Sequence, residues 1–482
     1  MGLRILLCAS EVVPFAKTGG LADVAGALPK ALAALGHEVR VALPKYGSID
    51  AEEMGTEKAG ARFAVPMGAQ EVEVGIEVSR AIPGVTTYLV DSPEHFARDG
   101  LYGEPDDTER FALFSRAVLE MVRRGDWQPE VIHCNDWQTG LMPVYLRQVY
   151  RDDAVLKAIA TLYTIHNLAY QGSFGPEELE RIGLGRGLFT VDGLEFYGRA
   201  NPMKGGLLYA DLINTVSETY SREIQTTEYG EGLEGVLARR RGDLFGVLNG
   251  IDYEEWNPGT DALIEANYDA GRLGGKADCK AALQRRLGLA ERAEAPVFGL
   301  VSRLAGQKGL DILAEVMPYV LEFDVQFALL GTGEQQYHDL LSELAAKEPN
   351  KVGLVLGFDN ALAHQIYAGS DCFLMPSRYE PCGLGQMISL RYGTIPVVRE
   401  TGGLADTIRD FDVKKGEGNG FVFREHAAIG LFGAMARAVM TMRVEGAWRK
   451  LVANAMACDF SWGRSAAAYA KLYQLAIERH GS

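Results

Sequence analysis

The sequence predicts an α/β protein made of two doubly wound domains with parallel sheets. Short apolar runs alternate with longer amphipathic segments almost throughout, which is the pattern of βαβ units. Two such series lie on either side of a polar, loop-like stretch at residues 253–275. The hexapeptide Thr18-Gly19-Gly20-Leu21-Ala22-Asp23 recurs letter for letter as Thr401-Gly402-Gly403-Leu404-Ala405-Asp406, once in each half. With 482 residues, 47% of them hydrophobic, each half is long enough to bury its own core.

Taken in order, the first unit reads as a strand at 4–9, a loop, a helix at 21–35 and a strand at 38–43. Between 61 and 90 the pattern changes. Residues 71–78 alternate with period two, which predicts an antiparallel edge hairpin. A helix at 108–124 follows, its apolar stripe set by Phe111, Phe114, Val118 and Met121. Strands recur at 131–134, 160–165 and 212–216. A second series is read to start near Leu244, with a linker at 250–257 and strands at 297–302, 325–330, 352–356, 372–376 and 395–398. A last helix at 462–479 comes after the break Asp459-Phe460-Ser461. The expected division is therefore 1–248, 249–458, and a terminal segment 459–482 returning to the first domain.

The formal net charge of −16 argues against wholesale binding to nucleic acid or to an anionic membrane, both of which need a basic surface. An anionic substrate remains compatible with a locally basic site. Six scattered cysteines without C-x-x-C or zinc-like spacing read as free thiols in a reducing compartment. The first ten residues carry no secretory signal, and no stretch reaches the roughly 20 apolar residues that span a bilayer. A cytoplasmic protein is expected.

Each Thr-Gly-Gly copy is read as following a strand and opening a helix, where glycines allow close approach and exposed N–H groups favour an anion. A plain turn is the commoner cause of Gly-Gly. Two identical copies, one preceded by Lys17, tip the reading toward phosphate. Ser302 to Gly309 follows a predicted strand and places Arg303 and Lys308 where open α/β sheets bind ligands, suited to a diphosphate leaving group. Gly331-Thr332-Gly333 lacks the third glycine of a nicotinamide fingerprint, Gln336 standing there, and reads as a tight turn. His133-Cys134-Asn135-Asp136-Trp137 and Thr164-Ile165-His166-Asn167 both end predicted strands in one half, so both are expected to face a cleft. Glu380, in Pro376-Ser377-Arg378-Tyr379-Glu380-Pro381-Cys382-Gly383-Leu384, suits an acceptor of sugar hydroxyls or an acid at a helix start. Asp410-Phe411-Asp412 is the one D-x-D available to a metal, and its Lys and Gly neighbours make it a solvated turn. No metal or cofactor is expected.

Together, Lys17 to Val24, His133 to Trp137, the run TIHNLAYQG from Thr164, the run VSRLAGQKGLD from Val301, Pro376 to Leu384 and Thr401 to Asp406 resemble the bacterial glycogen synthase and plant starch synthase family. The resemblance runs nearly end to end, with six motifs in order. It implies the GT-B fold, two Rossmann-like domains facing across a deep cleft. It also implies retaining transfer of glucose from ADP-glucose to the non-reducing end of glycogen or a related α-1,4-glucan, without metal. Carried over by position, Lys17, Gly19, Arg303 and Lys308 face the donor phosphates, with Asp23 in the same loop. His166 lies beside the transferred glucose and Asp136 near the reacting centre. Glu380 binds glucose hydroxyls, with Cys382 and the amides of Gly383 and Leu384 nearby. Thr401, Gly402 and Gly403 hold the distal phosphate and sugar, and Asn249 lies at the interdomain crossing. Many related retaining transferases carry a second Glu eight residues after the first; Ile388 stands there, which leaves contacts to the nucleotide's ribose and the base preference open.

A phosphorylase, which would need a lysine-bound pyridoxal phosphate and its absorbance, is one rival reading. Three others are a transferase of the same fold acting on UDP-glucose or on a small acceptor, a catalytically silent glucan-binding protein and a nicotinamide oxidoreductase. The intact set Lys17, Arg303, Lys308 and Glu380 speaks against the second, and Gln336 against the third.

Overall fold

The computed structural model describes residues 2–98 and 100–481. They divide into two compact units, one running to Gly250 and resuming at Trp462, the other Ile251–Ser461.

In the first unit the strands are β1 (Arg4–Cys8), β2 (Glu38–Pro44), β3 (Glu57–Lys58), β4 (Phe63–Met67), β5 (Gln70–Ser79), β6 (Thr86–Asp91), β7 (Val131–Asn135) and β8 (Ala160–Ile165). A small ribbon of β9 (Glu195–Phe196) and β10 (Arg199–Ala200) precedes β11 (Leu212–Thr215) and β12 (Leu244–Gly246). Among the described residues the main sheet has ten strands in the order β12-β11-β8-β7-β1-β2-β6-β5-β3, with β4 on β5. β1 pairs in parallel with both β2 and β7. The chain works outward from β1 on one side, then returns to β7 and works outward on the other. The strand order therefore reverses between β1 and β7, and ligands bind open α/β sheets at the carboxyl ends beside such a switch. The period-two segment is the antiparallel part: β5 pairs with β3, β4 and β6, turning Val74 and Ile76 into the core.

Two apolar layers cover the two faces of this sheet. One contains the helix Asp107–Arg124, whose Phe111, Phe114 and Val118 are buried. The other joins the helix Gly20–Ala34 to the terminal helix Trp462–His480, which contributes Trp462, Ala466, Tyr469, Tyr473 and Ala476. Steps of four and three place these five residues on one helical stripe. Burying a large apolar side chain stabilises by about 2 kcal/mol, so the stripe is enough to hold the helix on the first unit. Its end is tied by His480, which bonds the Asp211 carboxylate and the Lys157 carbonyl.

In the second unit the strands are β13 (Val297–Val301), β14 (Gln326–Gly331), β15 (Val352–Leu356), β16 (Cys372–Met375), β17 (Ile395–Arg399) and β18 (Phe421–Phe423). They form one parallel sheet in the order β15-β14-β13-β16-β17-β18. The order reverses again at the first strand, between β13 and β16.

Two expectations change. Leu244 does not open the second series: β12 pairs in parallel with β11 at the edge of the first sheet. A three-residue apolar run carries too little pattern to show which sheet it joins. The first Thr-Gly-Gly also does not directly follow a strand, since β1 ends at Cys8 and the helix begins at Gly20, with a long loop between.

Candidate active site

Both switch points carry residues singled out by the sequence. In the first unit, the loop after β1 folds around Glu11, which is 5% exposed. Its carboxylate accepts from the amides of Thr18 and Gly19, the latter at 3.2 Å, and from the Thr18 hydroxyl at 2.9 Å. The Gly19 amide expected to face a phosphate is thus bonded to an internal anion. Burial raises the Glu11 pKa, although the three hydrogen bonds oppose it. Lys17, exposed beside this turn, pairs with Asp23 in the first turn of the following helix at 2.6 Å. Burial raises the Asp23 pKa against the lowering effect of Lys17.

At the carboxyl end of β7, Asp136 takes a left-handed backbone with φ of 55°, a conformation that, glycine apart, Asn and Asp adopt most readily. This bend turns its carboxylate toward the next strand end, where Oδ1 accepts the His166 amide at 2.7 Å. Burial pushes the Asp136 pKa up to about 7 against that bond and the longer one from Asn167. His166 follows β8 directly. Burial lowers its pKa to about 3, so the imidazole is neutral at physiological pH. Its Nε2 lies 2.9 Å from the Asn135 side-chain oxygen.

His133, expected at the same cleft, lies elsewhere. It is fully buried on the side of the sheet covered by the terminal helix, bonded to Tyr473 and Thr164 at 3.0 and 2.6 Å. The period of two explains this, since neighbouring strand residues point to opposite faces and only the strand end is free to turn toward the site. Asn249, near the end of this unit, is 5% exposed and its Oδ1 has no hydrogen-bond partner among the described residues. A buried orphan acceptor of this kind is a place for a ligand's donor.

In the second unit, Lys308 and Glu380 come together across the switch between β13 and β16. The ammonium lies 3.0 and 2.7 Å from the two carboxylate oxygens, and the Ser377 hydroxyl donates to the same carboxylate at 2.9 Å. Glu380 therefore is not an acid at a helix start; the next helix is Gly385–Arg391. The two loops are stitched by the Arg378 amide donating to the Gln307 carbonyl at 2.8 Å. Gly309, at φ of 70°, permits the approach, because a Cβ there would stand 2.0 Å from the Pro376 carbonyl oxygen. Arg303, exposed, reaches the Gln307 side chain at 3.2 Å. Gly331-Thr332-Gly333 packs under the same loop, with the Leu304 amide on the Thr332 carbonyl.

The second Thr-Gly-Gly is used differently from the first. Thr401 is fully buried, and the Gly403 amide donates to the Glu380 carbonyl at 3.0 Å. A Cβ on Gly402 would stand 1.9 Å from that carbonyl oxygen, and one on Gly403 1.9 Å from the Cys382 carbonyl oxygen. These glycines let two backbones touch and so hold Glu380, Cys382 and Gly383 in place. Leu384 caps the helix that follows. One hexapeptide thus serves a carboxylate-filled turn in one unit and a backbone contact in the other.

Sequence reasoning missed three residues. Glu11 carries no motif signal beyond its place after β1. Asn135 sits inside a motif read for its neighbours. Arg399, 8% exposed at the end of β17, donates to the Ser377 carbonyl at 2.9 Å and so props the Glu380 loop. The D-x-D pair is structural: Asp410 bonds Arg437 and the Val422 amide, and Asp412 caps a turn at Lys414 and Lys415. Among the described residues no cluster of His, Cys, Asp or Glu is arranged to hold a metal ion, and no helix is long and apolar enough to cross a membrane.

Residues 4–239 match the starch synthase catalytic domain family, and residues 286–441 the glycosyl transferases group 1 family. The chain is 49% identical over 488 residues to a glycogen synthase of Desulforudis audaxviator, covering 99% of this chain and 97% of that one. It is 50% identical over 484 residues to a glycogen synthase of Geotalea daltonii, covering 99% and 100%. A solved structure of the catalytic domain of starch synthase IV from Arabidopsis thaliana, bound to ADP and acarbose, matches with a TM-score of 0.93 at 35% identity. That match covers 99% of this chain and all of the other. A sucrose-phosphate synthase from Thermosynechococcus elongatus shares the fold, with a TM-score of 0.60 at 18% identity.

Proposed function

Because this chain belongs to the glycogen and starch synthase family, whose members transfer glucose from ADP-glucose to an α-1,4-glucan, we propose the following roles for its residues. Lys308 and Arg303 take the diphosphate of the donor, and Glu380 takes hydroxyls of its glucose. Lys17 and Asp23 line the donor loop on the first unit, Asp136 and His166 flank the transferred sugar, and Asn249 meets the donor through its orphan oxygen. Thr401, Gly402 and Gly403 lie at the distal phosphate, with Cys382, Gly383 and Leu384 beside the glucose.

The observation that supports this most is the Lys308–Glu380 pair at the switch point of the second sheet. A cation and a carboxylate side by side match a sugar diphosphate, which presents anionic oxygens next to hydroxyl donors. Paired in this way each neutralises the other, so neither charge is stranded in a half-buried place. When the donor binds, the ammonium's remaining N–H reaches the phosphate, and Arg303 adds a second cation as negative charge grows on the leaving group.

We infer a front-face course. The bond from the glucose anomeric carbon to the diphosphate oxygen breaks, and the acceptor's 4-hydroxyl oxygen bonds the same face. The hydroxyl's proton goes to the departing phosphate, giving ADP and a lengthened glucan. Asp136, ionised in part near neutrality, supplies negative charge near the oxocarbenium-like centre. Neutral His166 contributes hydrogen bonding and no positive charge. Excluding water matters, because water would compete as acceptor.

The test is incorporation of labelled glucose into glycogen from ADP-glucose and from UDP-glucose, each with excess EDTA. Incorporation from ADP-glucose that survives EDTA is expected. Preference for UDP-glucose would overturn the donor assignment, and incorporation from neither would overturn the acceptor as well.

A further inference from the structure

We propose that Asn135 is a positioning residue that holds His166 as its Nε2–H tautomer, so that the ring offers an unprotonated Nδ1 to the sugar as a hydrogen-bond acceptor. The proposal deepens the reading above and rests on its placing of His166 beside the transferred glucose.

The argument begins with the orientation of the Asn135 amide. Asn135 closes β7 and is 1% exposed. One end of its amide lies 3.0 Å from the Cys8 carbonyl oxygen and 3.3 Å from the His133 carbonyl oxygen. Both neighbours are pure acceptors, so that end must be the NH2 group. A flipped amide would set three oxygens against one another in a buried place and leave both carbonyls without this donor. The other end is therefore the carbonyl oxygen, and it lies 2.9 Å from His166 Nε2. An oxygen can only accept, so Nε2 carries the proton. In a neutral imidazole Nδ1 is then a lone pair, and it makes no hydrogen bond to any described residue of its own unit.

The chain of support is rigid. The Cys8 carbonyl belongs to β1 and the His133 carbonyl to β7, two strands paired in register. Asn135 thus carries the geometry of the sheet's centre to the ring of the following strand. Asp136, the next residue, fixes the same loop from its other side by accepting the His166 backbone amide. The ring and the backbone of His166 are held by two successive residues of one strand end. An imidazole free to rotate would present Nε2–H to the site in some orientations, and a donor there would not accept from a sugar hydroxyl.

The test reads His166 in the ligand-free enzyme by nitrogen-resolved NMR of its labelled histidine rings, assigned with His166→Gln. Expected in the parent protein is an Nε2–H tautomer whose ring proton exchanges slowly with water. In Asn135→Leu, of similar size and without an acceptor, that proton should lose its protection, and the kcat for glucosyl transfer should fall about 100-fold. The KM for the donor should change far less. Asn135→Asp sets a carboxyl oxygen against the Cys8 and His133 carbonyls, so it should be held protonated there, donate to one of them and keep its other oxygen on Nε2, retaining the protected N–H signal. That variant serves if Asn135→Leu does not fold.

An Nδ1–H tautomer in the parent protein, or protection unchanged in Asn135→Leu, would overturn the proposal, as would loss of the Nε2–H signal in Asn135→Asp. Lost protection with unchanged kcat would uphold the hold of Asn135 on the ring and overturn instead the placing of His166 at the sugar.

Discussion

The ammonium of Lys308 lies 2.7 Å from Glu380 Oε2, although 72 residues separate them in the chain. The carboxylate side chain is 6% exposed and the lysine 21%. Each therefore depends on the other, the glutamate more strongly. Lys308→Ala should strand a buried carboxylate, lowering unfolding free energy by about 3 kcal/mol and kcat/KM by at least about 100-fold. Glu380→Gln should cost less stability, because the amide still accepts from Ser377 and the lysine reaches water. The double variant should fall short of the sum of the two losses. Urea melts of all four proteins check this, and additive losses would refute the coupling.

Asp136 should make the protein's stability pH-dependent in a way that opposes its function. Its folded pKa of about 7 stands above the ordinary 3.8, so the folded state binds the proton more tightly than the unfolded one. Stability from this group is full below about pH 4 and declines as pH rises toward 7. Asp136→Asn, which cannot ionise and tolerates the left-handed backbone better, should melt higher than the parent at pH 8. The gap should narrow steadily as pH falls to 4, leaving only the backbone contribution. Transfer activity should drop by about two orders of magnitude or more. A Tm difference independent of pH would mean that the carboxylate is not held in this environment.

Glu11 gathers the amides of Thr18 and Gly19 and so shapes the turn that carries Lys17. Glu11→Ala should leave those amides without their partner, costing about 1–3 kcal/mol of stability. The donor KM should rise about tenfold as the lysine loses its fixed position, with a smaller change in the KM for glucan. Initial rates with each substrate varied in turn separate the two, and equal effects on both would argue against a donor-side role.

His480 should lock the terminal helix in acid and release it in base. Its hydrogen bond to Asp211 raises its pKa above the ordinary 6.5 despite burial and the neighbouring Arg147. A group raised in the folded state stabilises fully below its unfolded value, and the gain is lost as pH rises through the folded one. His480→Gln should therefore melt below the parent at pH 6 and with it at pH 9. A deficit that persists at pH 9 would assign the effect to packing instead.

The βαβ alternation, the antiparallel hairpin and the motifs at strand ends were legible in the sequence because they depend on local periodicity and turn chemistry. Lys308 and Glu380 were each found by their place after a strand. Their pairing was not, because it follows from β13 and β16 being neighbours, a matter of strand order that no local pattern states. The two Thr-Gly-Gly copies make the same point. Six identical residues announced a need for glycine, but whether the partner is the Glu11 carboxylate or the Glu380 backbone depends on what the fold brings beside each loop. His133 and His166 looked alike in sequence, and the pleat sent one to the core and left the other at the strand's end.

The sequence by itself determined the fold class and named most of the candidate site residues, since hydrophobic period and side-chain type are properties of short stretches. Only the tertiary structure decided which charges meet, which amides are already bonded and which imidazole nitrogen is free. Those outcomes depend on distances of about 3 Å between residues tens or hundreds of positions apart, and the packing of whole elements sets such distances.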